Sequence, residues 1–266
     1  MPKTIAIAVG GLLVGGGTGL SVFLISQSNQ ALPTNQIIAA ESTLFTPLAL
    51  THSVTIPEMV TPFELVQAIP SKSLLSSPDQ KIFDRLMRRA IEQNWNQRSL
   101  GDNLQTIAEY FLGAPYAEHL LDQTSKETLS VSLREFDCVL LIETVLAMAR
   151  GVVKQDYSDT IFTHHIQEQR YANGEIDGYC SRLHYFSQWI ADNQRRGIVE
   201  DMTRSLGGIP LNKTLNFMST NWKKYPKLVE SEKEYQCIRQ MESIIDSSQI
   251  YLVLTEFVSG FTSVKR

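Results

Sequence analysis

The succession of helical and extended patterns predicts an α+β domain, with helices first and strands late. Three observations carry this. Apolar side chains recur at helical spacing from residue 78 to about 150, extended runs of the folded part fall late at 197–202 and 250–254, and strand and helix do not alternate. A chain of 266 residues with 43% hydrophobic content has room for one medium domain plus extensions.

The chain opens with Lys3 and then Ile5 to Ile25, which carries no charge; the next ionisable side chain is Glu41. As a helix rising about 1.5 Å per residue, this run would span about 30 Å, the thickness of a hydrocarbon core. Residues 1–30 are therefore expected to be a transmembrane signal-anchor. A cleaved signal peptide is the alternative, although Asn29-Gln30-Ala31 and Ile38-Ala39-Ala40 are imperfect cleavage sites. With Lys3 inside, the rest of the chain would face the periplasm or another extracytoplasmic space. Val14 to Gly19 imitates a dinucleotide loop but lacks its third glycine and any strand–helix unit after it. Gly11, Gly15 and Gly19 have the spacing of a helix-dimer face, which chance explains as well in so glycine-rich a stretch.

Residues 31–75, rich in Ser, Thr, Pro, Gln and Asn, read as a linker, and the folded domain is expected over 76–266. Ser77-Pro78-Asp79-Gln80 is a capping box with Ser77 as N-cap, and Ile82, Leu86, Ala90 and Ile91 mark a core-facing helix behind it. A second helix over 104–111 stops at Leu112-Gly113-Ala114-Pro115-Tyr116. The helix from Cys138 to about Arg150 is apolar on nearly every face and should be central. Further helices are expected over 161–169, 183–193 and 230–245, with turns at Asn173-Gly174 and Asp177-Gly178.

The net charge of −4, without basic clusters interleaved with aromatics, excludes a nucleic-acid binder. Three cysteines, Cys138, Cys180 and Cys237, cannot all pair, so a disulfide-stapled scaffold is not expected and at least one thiol stays free. Cys138 follows Phe136-Asp137 at the start of the central helix. There the unpaired N–H groups and the macrodipole would stabilise a thiolate and lower the thiol pKa. The alternative is a cysteine packed as a small hydrophobe. The five histidines, His52, His119, His164, His165 and His184, match no zinc spacing, and neither a metal nor another cofactor is expected. Around His184, Arg182 could fork onto a carboxylate, Tyr185 and Trp189 could stack on a sugar ring, and His184 could donate to a carbonyl. A partly buried amphipathic helix with its aromatics in the core explains the same residues.

Leu112-Gly113-Ala114-Pro115-Tyr116, Phe136-Asp137-Cys138 with Glu143, the block Asp177 to Tyr185 with Trp189, and Asn216-Phe217-Met218-Ser219 occur in this order. Over roughly 78–245 the chain thereby resembles the N-acetylmuramoyl-L-alanine amidase-like family. The resemblance implies an NlpC-type cysteine amidase with a papain-like core. It would cleave the amide joining the muramyl lactyl group to L-alanine in soluble peptidoglycan fragments. It implies Cys138 as nucleophile, with backbone N–H groups at the helix start holding the oxyanion, and Tyr116, Arg182, His184, Tyr185 and Trp189 as substrate-binding residues. The family's histidine base lies in a late β-barrel, in a segment resembling Leu-Asp-x-x-His-x-Gly, whereas no histidine follows His184 here. An incomplete barrel and weak or absent activity are therefore expected. A muropeptide-binding module without turnover and a remnant of a longer gene are the alternatives.

Overall fold

The computed structural model describes residues 5–14, 17–26 and 73–254. The expected linker (apart from 73–75) and the end of the chain beyond Leu254 lie outside the described residues.

Two strands, β1 (Ile5–Val14) and β2 (Gly17–Ser26), occupy the run expected to be one transmembrane helix. They pair antiparallel, with Ile5 opposite Ser26 and Val14 opposite Gly17. The physical reason is compositional. Six glycines from Gly10 to Gly19 would each weaken a helix by about 1 kcal/mol relative to alanine, while the β-branched residues at 5, 7, 9, 14, 18, 22 and 25 favour extended backbone. The glycines at helix-dimer spacing therefore share no helix face: Gly11 is on β1 and Gly19 on β2. Among the described residues no helix is long and apolar enough to cross a membrane.

Five helices then build the main core: α1 (Ser77–Glu92), α2 (Leu100–Tyr110), α3 (Cys138–Lys154), α4 (Asp159–Arg170) and α5 (Phe186–Arg195). The cap of α1 is Ser76 rather than Ser77: its hydroxyl accepts the Asp79 N–H, so Asp79 takes the place expected of Gln80. Asp79 is itself buried and accepts from the Leu133 N–H at 3.0 Å and the Arg134 guanidinium at 3.1 Å, which fastens the approach to α3 onto α1. Phe83, Leu86, Met87 and Ala90 are core residues as their spacing predicts, whereas Ile91 points to solvent. Helix α2 begins one turn earlier than its apolar pattern, where Ser99 caps it by accepting the Asp102 N–H at 3.1 Å.

Helix α3 is central, with eleven of its seventeen residues buried. Gly151 is required there, since a Cβ would stand 2.8 Å from the Asp156 carbonyl where the chain folds back. His164 and His165 point to different faces of α4, the first exposed and the second buried with Nδ1 3.2 Å from the Ala147 carbonyl.

The strands β3 (Val199–Asp201), β4 (Ile209–Pro210) and β5 (Tyr251–Leu254) join β1 and β2 in one mixed sheet ordered β2-β1-β5-β4. Along β1, residues 5–7 pair parallel with β3, and residues 10–11 pair parallel with β5. Short helices α6 (Phe217–Thr220), α7 (Pro226–Glu230) and α8 (Glu232–Ser243) form a second small core with Tyr179, around Met218, Leu228 and Ile238. A disulfide between Cys180 and Cys237 ties this lobe to the segment before α5, correcting the expectation that no disulfide braces the fold. The compositional argument counted thiols, and the pairing depends on α8 folding back over residues 179–181.

Two outcomes are expected. The disulfide closes a loop of 57 residues, which on chain-entropy grounds stabilises by up to about 4 kcal/mol. Reduction, or a Cys180→Ser/Cys237→Ser double substitution, should lower the urea midpoint accordingly, and coincident midpoints would contradict it. Burial, followed by Arg150, pushes the His165 pKa down to about 4. Between about pH 6.5 and pH 4 the unfolded chain binds a proton that the folded chain refuses, so stability falls as pH drops through that window. The shift corresponds to a loss on the order of 3 kcal/mol. His165→Asn should flatten the dependence of the urea midpoint between pH 7 and 4.5, leaving the part of the same sign that His184 contributes.

Candidate active site

Cys138 is the first residue of α3, exposed, and the one free cysteine. Its position follows from Asp137, which caps the helix by accepting the N–H groups of Val139 at 2.9 Å and Leu140 at 2.8 Å. Ahead of it, buried Phe136 packs edge-on against Phe111 and exchanges backbone hydrogen bonds with Pro115 and Ala117, at 3.1 and 3.0 Å. The Gly-Ala-Pro-Tyr turn is thereby zipped beside the helix start, with exposed Tyr116 next to Cys138. Tyr116 is available to a ligand, and its phenol is shifted upward by lost hydration, then by Cys138, Glu118 and Asp137.

The expectation of an electrostatically activated thiolate is reversed. Partial burial raises the Cys138 pKa, and the Asp137 carboxylate raises it further, against a smaller lowering by the Cys138 and Val139 N–H groups. The same carboxylate also accepts the Val139 and Leu140 N–H groups, so it competes with a thiolate or an oxyanion for them, while the Cys138 N–H is not among its donors. The thiol at this position is thereby harder to ionise than an ordinary one.

The segment 179–185 forms the facing wall. Gly178, at φ +74°, starts a single 3-10 turn over Tyr179–Ser181. Arg182 then turns inward. Its guanidinium donates to both oxygens of Glu127 at 3.0 and 2.7 Å, to Asp122 at 3.0 Å and to the Leu121 carbonyl at 3.1 Å. It is therefore an internal clamp and not the free fork expected for a substrate carboxylate. Glu127 also accepts the Tyr171 hydroxyl at 2.8 Å and faces Lys227 at 3.6 Å. His184, half-buried, donates from Nε2 to the Tyr179 carbonyl at 2.8 Å and stays neutral, its pKa pushed down to about 4 by burial and by Arg182.

Tyr185 donates to Glu242 at 2.5 Å and accepts the Met218 N–H at 3.2 Å, so its hydroxyl is held by α8 and α6. Trp189 is 1% exposed, donates to buried Glu143 at 3.2 Å and stacks on Phe186; it cannot present a face to a sugar ring. Its indole belongs to the core because α5 packs that face towards α3 and α4.

A cavity of about 350 Å³ lies between these walls, lined by His119, Asp122, Asp137, Arg182, His184 and Tyr185 among others. A larger, apolar cavity of about 770 Å³ between α5 and residues 244–252 shares only Tyr185 with the chemistry described above. The polar cavity lined by Asp137, the residue before Cys138, is the candidate site. His119, Asp122 and Glu127 are the residues sequence reasoning passed over. Their loop, 111–137, carries no periodic pattern, and the only signal was a histidine soon after a glycine–proline turn. Among the described residues no group of three or more His, Cys, Asp or Glu side chains is placed to hold a metal ion.

A family model described as AmiA-like, N-acetylmuramoyl-L-alanine amidase-like, matches residues 106–261, more than half of the chain. The chain belongs to the N-acetylmuramoyl-L-alanine amidase-like family. Among solved structures it is similar to an N-acetylmuramoyl-L-alanine amidase from Bacteroides uniformis ATCC 8492, at 29% identity and a TM-score of 0.52, over 56% of this chain and 62% of that one. A second structure of an amidase from that organism matches at 27% identity and a TM-score of 0.51, covering 57% and 64%. A Bacteroides fragilis protein described as a xylanase matches at 31% identity and a TM-score of 0.52, covering 55% and 63%. The chain thus spans less than two thirds of the length of these structures. No curated protein matches it. Among its described residues the chain is helix-rich with few strands, and it is similar to amidase structures.

The clamp on the 111–137 loop yields a test. Glu127→Gln leaves Arg182 and Lys227 facing a neutral amide inside the protein, and removing one partner of a buried pair costs about 3–5 kcal/mol. Urea unfolding should show that loss, while Glu118→Gln, at an exposed carboxylate, should stay within about 0.5 kcal/mol.

Proposed function

We propose that the chain is a cysteine-dependent amidase that cleaves the bond between the muramyl lactyl group and L-alanine of the stem peptide in soluble peptidoglycan fragments. The observation that carries this is the single free thiol, Cys138, exposed at the first position of the central helix and directly following Asp137, which lines a polar cavity. A nucleophile at the start of a buried helix is the arrangement of papain-like, NlpC-type amidases, and that is the finer assignment we adopt. In this reading the thiol attacks the amide carbonyl, the Cys138 N–H helps hold the oxyanion, and Tyr116 and the polar wall at His184 and Tyr185 line the bound muropeptide.

The Cys180–Cys237 disulfide is at home in an oxidising space. It supports the proposal that residues 76–266 work outside the cytoplasm, with residues 1–30 directing export. The raised thiol pKa favours a second reading, a domain that binds muropeptide without cleaving it.

Incubation with a disaccharide–peptide muropeptide, followed by chromatography, separates the two. Release of free stem peptide that falls roughly a thousandfold or more in Cys138→Ala supports the amidase. Calorimetric binding with no release in either protein supports the binding module.

A further inference from the structure

The wall at 179–185 is anchored near both ends to one helix, and that helix has little else to hold it. Near one end, Cys180 is bonded to Cys237 of α8. At the other, the Tyr185 hydroxyl donates to Glu242, five residues further along α8. Between them, His184 Nε2 donates to the Tyr179 carbonyl at 2.8 Å and closes the turn. The same Glu242 oxygen accepts the Met218 and Ser219 N–H groups at 3.0 and 3.2 Å, so α6 is seated on α8 as well. Tyr179, His184 and Tyr185 of the wall, and Phe217, Met218 and Tyr225 of the small lobe, line the polar cavity. Much of that lining therefore depends on where α8 lies.

Helix α8 is weakly rooted. Only Ile238 and Glu242 of its twelve residues are buried. The core it joins has four buried members, against twenty-six in the main core around α3. So small a cluster offsets little of the entropy lost in ordering the lobe. Helices of four, five and twelve residues do not persist without tertiary contacts. Lys227, which meets Glu127 at 3.6 Å, ties α7 rather than α8 to the body.

We propose that the Cys180–Cys237 bridge is a redox latch on the cavity. Closed, it seats the wall on α8; opened by a dithiol, it frees α8, and with it the wall and α6, while the main core stays folded. The latch rests on the muropeptide reading above for the ligand it controls. Both cysteines are half-buried, so a small dithiol reaches them. One thiolate of the dithiol attacks a bridge sulfur; the S–S bond breaks, leaving a mixed disulfide and one cysteine thiolate. The second thiolate of the dithiol then displaces the other cysteine. Two electrons and two protons pass to Cys180 and Cys237, which end as thiols, and the dithiol ends as a disulfide. Oxidation runs the same exchange backwards. Releasing a closure of 57 residues raises the open population of the lobe on the order of a hundredfold. The site is thereby completed only in oxidising surroundings.

Amide hydrogen exchange on the full chain, with and without dithiothreitol, tests the latch beside calorimetry and turnover with a disaccharide–peptide muropeptide. Reduction should speed exchange in the wall, α6 and α8 roughly a hundredfold and leave α3 unchanged. Muropeptide binding should weaken roughly tenfold or more, and reoxidation should restore it. Cys180→Ser/Cys237→Ser should reproduce the reduced pattern without any reductant. Unchanged exchange at α8 on reduction, or equal acceleration in α3, overturns the latch, and muropeptide cleavage by the oxidised protein then leaves the amidase reading standing. Selective loosening with undiminished binding overturns control of the site. Selective loosening in a protein that binds no muropeptide in either state supports the latch and removes the muropeptide reading.

Discussion

The buried carboxylate of Glu127 is the constraint on which the site depends. It sits in a stretch, 111–137, that has neither helix nor strand. A loop of that length is held only by what its few buried side chains reach. Glu127 reaches Tyr171 just after α4, Arg182 after the 3-10 turn, and Lys227 on α7. Such a cluster contributes little net stability, because desolvating three charges offsets most of their attraction, but it tolerates very few alternative arrangements. Its worth here is that it fixes one path for the loop, and along that path lie Tyr116, His119 and Asp122.

That cluster also lies between two hydrophobic cores. One is built from α1 to α5 around α3, and the other is the small lobe of Tyr179, Met218, Leu228 and Ile238. Between them run polar ties: Arg182 to Glu127 and Asp122, Tyr185 to Glu242, and the Cys180–Cys237 bridge. A polar cavity persists at such a boundary because neither core can fill it with apolar side chains without stranding the charges that line it. Cys138 comes from the main core and the 179–185 wall leads into the small lobe, so the two faces of the cavity belong to differently stabilised parts of the molecule.

The electrostatics of Cys138 show how a local rule can mislead. A helix start favours a thiolate when its N–H groups are unpaired. Here Asp137 pairs two of them and adds a negative charge beside the sulfur. The residue that makes the helix start legible in the sequence is the residue that cancels the start's effect on the thiol. The net shift at Cys138 is upward, so the helix start alone does not activate the thiol.

What the sequence determined by itself was local. The central apolar helix from Cys138, the core face of α1, the late short strands and the resemblance through the Gly-Ala-Pro-Tyr, Phe-Asp-Cys and Arg-Leu-His-Tyr blocks were all readable, because periodicity, capping chemistry and motif order are properties of neighbouring residues. Tertiary structure decided the rest. Whether Arg182 meets a substrate or Glu127, whether Trp189 faces a sugar or the core, and whether Cys180 finds Cys237 are settled by residues more than forty positions away. The apolar start of the chain makes the same point: hydropathy is blind to the difference between a span and a strand pair, and the pairing of residues 5–7 with 199–201 gives β1 a partner that no window along the chain contains.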